Sequence, residues 1–309
     1  MSGARRSRYG VVAALRTAGI KKVESVLPLW RTLLPQSRVA VYAPGVNACP
    51  PAVLVTGSSR GLGKGVALEL ARAGMSVAIH YGANDAAAKA TADECAALAP
   101  HRTQLFPLLK ADLNEAGSRD ALMDQTLSAL GRIDALVNNA GITSPGRADV
   151  LDNTEAAWDG VMDVNLKAPW FLSQRAARWW VEHPGNSRLD GGFKLVFVSS
   201  VSAEMASMNR GDYCISKAGI GMMARVFALR LAAHDTQVVE FRPGIMETDM
   251  TASVKEKYDP IISGGRVPMR RWGQPSDVGR AVRSFLSGDL PFCTGEAIYL
   301  DGGLHLPLL

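Results

Sequence analysis

The sequence predicts one doubly wound α/β domain, a parallel sheet of about seven strands with helices on both faces. From residue 52 onward, short apolar or β-branched runs alternate with helical segments. The runs are apolar at consecutive positions, which suits strands covered on both faces. A glycine-rich stretch directly follows the first run, at the strand-to-helix turn where such folds receive ligands.

The order of elements follows from those patterns. AVLVT (52–56) is the first strand, with a helix at 62–73, and SVAIHY (76–81) is the second, with AAAKATADECAALA (86–99) as its helix. TQLFPLL (103–109), a helix near 115–130 and IDALVNN (133–139) continue the alternation. One long helical stretch covers 154–182, KLVFVSS (194–200) is the fifth strand, and a second long helix covers 212–233. QVVEFRP (237–243), a helix near 276–286 and EAIYL (296–300) complete the sheet.

A chain of 309 residues with 47% hydrophobic content can bury one large core. Its charge is unevenly placed: residues 1–50 hold eight Lys/Arg against Glu24 alone, or +7, whereas residues 51–309 sum to −2. The pI near 9.1 therefore belongs to a basic N-terminal extension over 1–50, and the domain proper is 51–309. No basic stripe with interleaved aromatics follows, so nucleic acid is not an expected partner. Arg16 interrupts YGVVAALRTAGI, so nothing in the extension spans a bilayer; no membrane partner and a cytoplasmic location are expected. The Arg-rich, acid-poor start also has the composition of an organelle transit peptide or a disordered tail. Four scattered cysteines without a C-x-x-C pair, and five isolated histidines, argue against a zinc site or a disulfide framework.

The chemistry-bearing motifs sit at strand ends. In TGSSRGLGKG, Gly57, Gly61 and Gly63 let the backbone approach a pyrophosphate, whose charge the N-terminus of the next helix favours. Where a carboxylate would accept the ribose hydroxyls, at the end of the second strand, stand His80 and Tyr81. With Arg60 in the loop suited to a 2′-phosphate, NADP(H) is expected over NAD. Asp112 follows the third strand, where it can accept from an adenine amino group, and NNAG (138–141) ends the fourth beside the same groove, with Asn139 and Gly141. Tyr213 and Lys217 are four apart on a helix and so share one face. A nearby ammonium would favour a phenolate and hold the phenol below its ordinary range of about 10.

These residues make the chain resemble the short-chain dehydrogenase/reductase family over nearly all of 51–303. The matching motifs are TGSSRGLG, NNAG, a serine after the fifth strand, YCISK, RPGIMET and YLDGG. Within the family it is most similar to 3-oxoacyl-ACP reductases. The resemblance implies that Tyr213 is the general acid/base and Lys217 its partner, also reaching the nicotinamide ribose. It implies a substrate-binding serine thirteen residues before the tyrosine, which selects Ser200 over Ser199 and Ser202. Asn165, in DVNLKAP, matches the asparagine that holds a relay water near the lysine. Cofactor contacts are expected from the loop residues including Leu62, and from Pro243, Ile245 and Thr248 of the PGIMET turn, with Thr248 on the carboxamide.

The implied activity is NADPH-dependent reduction of a 3-oxoacyl thioester. Alternatives are a small ketone, sugar or polyol as substrate, or a nucleotide-binding scaffold without turnover. Specificity is expected from 248–274, where SGGR offers a hinge and Arg266, Arg270 and Arg271 face either an acidic acyl carrier protein or solvent. The two long helices carry Trp170, Phe171, Trp179, Trp180 and Phe227, more apolar surface than one sheet face needs. The resemblance implies that they pair in a homotetramer.

Overall fold

The computed structural model describes residues 49–252 and 254–307. The basic extension predicted over 1–50 lies outside the described residues except for its last two. Seven strands, β1 (Ala52–Val55), β2 (Ser76–Tyr81), β3 (Leu108–Lys110), β4 (Ala135–Asn138), β5 (Phe193–Val198), β6 (Thr236–Pro243) and β7 (Glu296–Leu300), form one sheet. Its order is β3-β2-β1-β4-β5-β6-β7, and every pairing is parallel. Nine α-helices are described: α1 (Gly61–Arg72), α2 (Asp85–Leu98), α3 (Ala116–Leu130), α4 (Glu155–Met162), α5 (Ala168–Glu182), α6 (Gly211–Leu231), α7 (Asp249–Ala252), α8 (Lys255–Ser263) and α9 (Pro275–Leu286).

The consecutive apolar residues of the strands divide between two cores, because successive side chains point to opposite faces. Leu54, Leu136, Leu195 and Phe197 pack against Leu122 of α3, Leu172 of α5 and Ile220 of α6. Val53, Val55, Val137 and Val196 pack on the other face against Val66 and Leu70 of α1 and Val278 and Phe285 of α9. Burying each such side chain contributes about 1.5–3 kcal/mol before entropy is counted. The strand order reverses between β1 and β4, so the loops leaving their C-terminal ends diverge and open a crevice there.

Two elements depart from the sequence reading. The third strand was expected over 103–109, but ladder geometry begins only at Leu108. The preceding segment still runs beside β2, giving the carbonyls of Leu105 and Pro107 to Val77 and Ile79, while Pro107 has no N–H to return. The single helix over 154–182 is in fact α4 and α5 joined by a π-turn at Asp163–Lys167. The cause is Pro169: an α-helix would need its N–H for the carbonyl of Asn165. Instead the N–H of Ala168 reaches Asp163, five residues back.

Candidate active site

The loop after β1 is held from two sides. Gly57 takes φ +63°, a left-handed conformation that a side chain disfavours. Its N–H donates to Nδ1 of His80 at 2.9 Å, and Nε2 of the same ring lies 3.2 Å from the carbonyl of Ala111. An acceptor Nδ1 and a donor Nε2 define a neutral tautomer. Burial enforces it, lowering the His80 pKa to about 4 against a smaller opposing effect of the Ala111 hydrogen bond. On the other side, Nδ2 of Asn139 donates to the carbonyls of Thr56 at 2.9 Å and Gly57 at 3.2 Å. Asn139, read from sequence as a nucleotide contact, thus directs its amide at the loop backbone, because that buried turn has carbonyls to satisfy.

Arg60 is the N-cap residue of α1, whose first turn carries no acidic side chain and no side-chain cap. That leaves N–H groups and the helix dipole open to an anion. Gly61, Leu62 and Gly63 form the first turn. Thr248 stands across from them, its Cγ2 being 3.8 Å from where a Gly61 Cβ would lie. Arg60 is exposed and only 3.8 Å from Asp249 in an exposed pair, so its guanidinium is not held by the fold. One oxygen of Asp112 accepts the backbone N–H and the side-chain amide of Asn114. Pro243 closes β6 opposite Leu300, and Ile245 packs beside a small cluster of Val201, Ile262, Val267 and Leu304.

At the C-terminal end of β5 the three candidate serines separate. Ser199 donates its hydroxyl to Glu240, and the backbone N–H of Ser202 donates to Oγ of Ser200 at 3.0 Å. Of the three hydroxyls, only that of Ser200 acts on the Tyr213 phenol, lowering its pKa. Nζ of Lys217 lies 5.6 Å from the Tyr213 ring centroid and donates to the carbonyl of Val198 at 3.2 Å. A Cβ on Gly141 would stand 3.4 Å from that Nζ and 3.2 Å from Oδ1 of Asn165, so only glycine leaves this space clear. Asn165 is fully buried. Its Oδ1 accepts from the N–H of Ile142, and its Nδ2 donates to the Ile142 carbonyl and to Ser216. Its side chain is therefore fully engaged, and its backbone carbonyl is the one Pro169 fails to serve.

Electrostatics correct one expectation. Burial pushes the Tyr213 phenol above the ordinary tyrosine range, outweighing the Ser200 hydrogen bond and the charge of Arg210, which both lower it. Among protein groups, then, the phenol is not depressed as the spacing to Lys217 suggested. Burial brings the Lys217 ammonium down to about 8, with the Glu240 charge opposing.

Several features were not legible in the sequence. Glu240 and Arg242, buried on β6, pair through two contacts of 2.9 and 3.0 Å. Arg242 goes on to Glu204 and to the hydroxyl of Tyr299. The available signal was two opposite charges two apart in a strand otherwise apolar on both faces. Of the three loop arginines read as facing a carrier or solvent, Arg266 donates to the Leu304 carbonyl and Arg271 pairs with Asp277, whereas the Arg270 side chain makes no hydrogen bond or ion pair among the described residues. Of the five aromatic residues on the long helices, Trp180 and Phe227 are core and Trp179 is partly buried, whereas Trp170 and Phe171 are exposed, as are Ile215, Met222, Val226 and Leu229. A cavity of about 460 Å³ beside Ile245, Met246 and Tyr299 is not lined by Ser200, Tyr213 or Lys217. Among the described residues, no helix is long and apolar enough to cross a membrane.

Residues 57–305 match the family described as enoyl-(acyl carrier protein) reductase. The chain belongs to the short-chain dehydrogenase/reductase family. It is an oxidoreductase acting on carbonyl or hydroxyl groups with a nicotinamide cofactor. Among relatives of this oxidoreductase, the 2-dehydro-3-deoxy-D-gluconate 5-dehydrogenase of Escherichia coli is 33% identical, over 81% of this chain and 93% of that protein. The 3-oxoacyl-[acyl-carrier-protein] reductase of Staphylococcus aureus is 30% identical, over 82% and 97%. The crystal structure of a 3-oxoacyl-[acyl-carrier protein] reductase from Brucella melitensis in complex with NAD superposes with a TM-score of 0.79. That structure is 41% identical and covers 85% of this chain and all of its own.

Proposed function

We propose that the chain is an NADP(H)-dependent ketone reductase with Tyr213 as proton donor, acting on either a 3-oxoacyl thioester or a small ketone bearing a carboxylate. The observation carrying the mechanism is the Lys217 ammonium 5.6 Å from the Tyr213 ring centroid, with Ser200 acting on the same phenol. The glycine loop and the space over Gly141 fit a nicotinamide dinucleotide, with Gly57, Gly61, Leu62 and Gly63 at the pyrophosphate, Asp112 toward the adenine, and Pro243, Ile245 and Thr248 flanking the nicotinamide. When bound, the reduced nicotinamide supplies the hydride.

Ser200 holds the carbonyl oxygen and donates to the charge that develops on it. Tyr213 delivers its proton to that oxygen, so the ketone gains a hydrogen on carbon and one on oxygen. A phenol raised by burial is protonated at neutral pH, which suits it to the reducing direction. Lys217 stabilises the phenolate left behind. The Asn165 carbonyl freed at Pro169 is placed to hold the water that returns the proton. Arg60 is the residue for the 2′-phosphate, and the exposed apolar faces of α5 and α6 are the surfaces for a homotetramer.

The thioester reading is supported by the relatives named as 3-oxoacyl reductases. A small ketone bearing a carboxylate is a second reading, favoured by the sugar-acid relative and by Arg210 beside Tyr213. A scaffold without turnover would have no use for the four residues Ser200, Tyr213, Lys217 and Asn165 together. Steady-state assays of acetoacetyl thioesters against a panel of ketones and polyols, each with NADPH and NADH, test the proposal. Turnover of a ketone with NADPH supports it, and absence of turnover across the panel with tight NADPH binding would favour the scaffold.

A further inference from the structure

Arg210 is a cation beside the reacting phenol that no side chain among the described residues neutralises. Its guanidinium carbon lies 5.3 Å from the centroid of the Tyr213 ring. The side chain is half-buried and forms no hydrogen bond or ion pair among the described residues. The two carboxylates closest to it in the chain are engaged elsewhere. Asp212 accepts from the Ser144 hydroxyl and, at 2.7 Å, from the N–H of Tyr213. Glu204 is held by Arg242 and Tyr299.

Partial burial of a charge without a partner is unfavourable. Stacking on the phenol offsets only part of that, since cation–π contacts contribute about 0.5–1 kcal/mol at exposed sites. A guanidinium fork is the side chain best matched to a carboxylate, which it binds through two parallel hydrogen bonds. Such bonds are about 2.7–2.9 Å long. A carboxylate on Arg210 would therefore lie beside the ring of Tyr213, the residue that protonates the carbonyl oxygen.

We infer that Arg210 receives a carboxylate of the substrate, so that the ketone reduced here is a free oxo acid. This rests on Tyr213 being the proton donor, and it decides between the two substrate classes above in favour of the acid. A thioester would place a neutral group where Arg210 offers charge.

The test compares acids with their own neutral esters, so that the carbonyl is the same and only the charge differs. Acetoacetate and levulinate, which set the carboxylate at two distances, are each assayed against the methyl ester, with acetoacetyl-CoA as the thioester, using NADPH and the full chain. Wild type is expected to turn over at least one acid with a kcat/KM about tenfold or more above its ester, the range of a charged hydrogen bond. Arg210→Met should bring the acid-to-ester ratio of kcat/KM to about one by a larger loss on the acid than on the ester, and Arg210→Lys, keeping charge without the fork, should retain part of the preference. Equal losses on acid and ester in Arg210→Met, or a thioester preferred over both acids in wild type, would overturn the inference. Should Arg210→Met not fold, judged by NADPH binding, the acid-to-ester ratio in Arg210→Lys decides: an unchanged ratio also overturns it. Tyr213→Phe is the separate control. If it keeps turnover of acids and esters alike, the proton-donor reading fails, whereas an inactive Tyr213→Phe with a preference unmoved in Arg210→Met sinks the carboxylate site alone.

Discussion

The imidazole of His80 and the amide of Gly57 share a hydrogen bond of 2.9 Å that ties the end of β2 to the loop after β1. Because Nδ1 is the acceptor, protonating the ring destroys the bond. The folded-state pKa of about 4 lies below the ordinary 6.5, so between those values the unfolded chain binds the extra proton. Stability should therefore rise with pH across about 4 to 6.5 and be lost as pH falls through that window, by up to ~3 kcal/mol. Urea unfolding at pH 7 and pH 5 checks this. His80→Asn should flatten the dependence, and with the loop less firmly held its KM for NADPH should rise.

Arg60 has only an exposed, 3.8 Å contact to Asp249, so removing it disturbs little of the fold. Arg60→Ala should raise the KM for NADPH by about tenfold, the loss of one charged contact, and barely change that for NADH. Parallel titrations with both cofactors are the measurement. Equal effects on the two would take Arg60 away from the 2′-phosphate.

Tyr213→Phe keeps the ring and removes the hydroxyl proposed as proton donor. Turnover should fall by ~10²–10⁴ or more while NADPH binding is nearly unchanged. Lys217→Met should lower turnover and weaken NADPH binding together, if the ammonium both steadies the phenolate and holds the ribose. Fluorescence titration beside single-turnover rates separates the two variants.

Glu240 pairs with Arg242, and its charge favours the charged form of Lys217. Below about pH 8 that ammonium is present, and above it the charge is lost. Glu240→Gln should move the alkaline limb of the reduction profile to lower pH, and should cost about 3–5 kcal/mol of stability because Arg242 loses a buried partner. The double variant Glu240→Gln/Arg242→Met should recover most of the stability but not the pH limb. A limb unmoved in both would leave Glu240 a purely structural residue.

The parts that could be read in the chain are those whose partners are close in sequence. AVLVT and SVAIHY read as strands because consecutive apolar residues need cover on both faces, and TGSSRGLG reads as a phosphate loop because strand, glycines and helix are contiguous. The spacing of Tyr213 and Lys217 is likewise local. The break at Pro169 was open to the same reading, since a proline inside a long helical stretch removes a donor, and the long apolar pattern hid it.

Other features arise only when distant segments meet. The sequence alone determined the doubly wound sheet, the loop and the Tyr213–Lys217 pair, because periodicity and short spacings express backbone geometry directly. The thirteen-residue spacing already pointed to Ser200, and tertiary structure decided what Ser199 does instead: Glu240, forty-one residues away along the chain, takes up its hydroxyl. It decided that His80 is a neutral strut and not a surface ring, because burial between β1 and β3 removes the water a charged imidazole needs. It also decided that the phenol lies above its ordinary range: desolvation depends on everything packed around a group, and no spacing along a chain contains that.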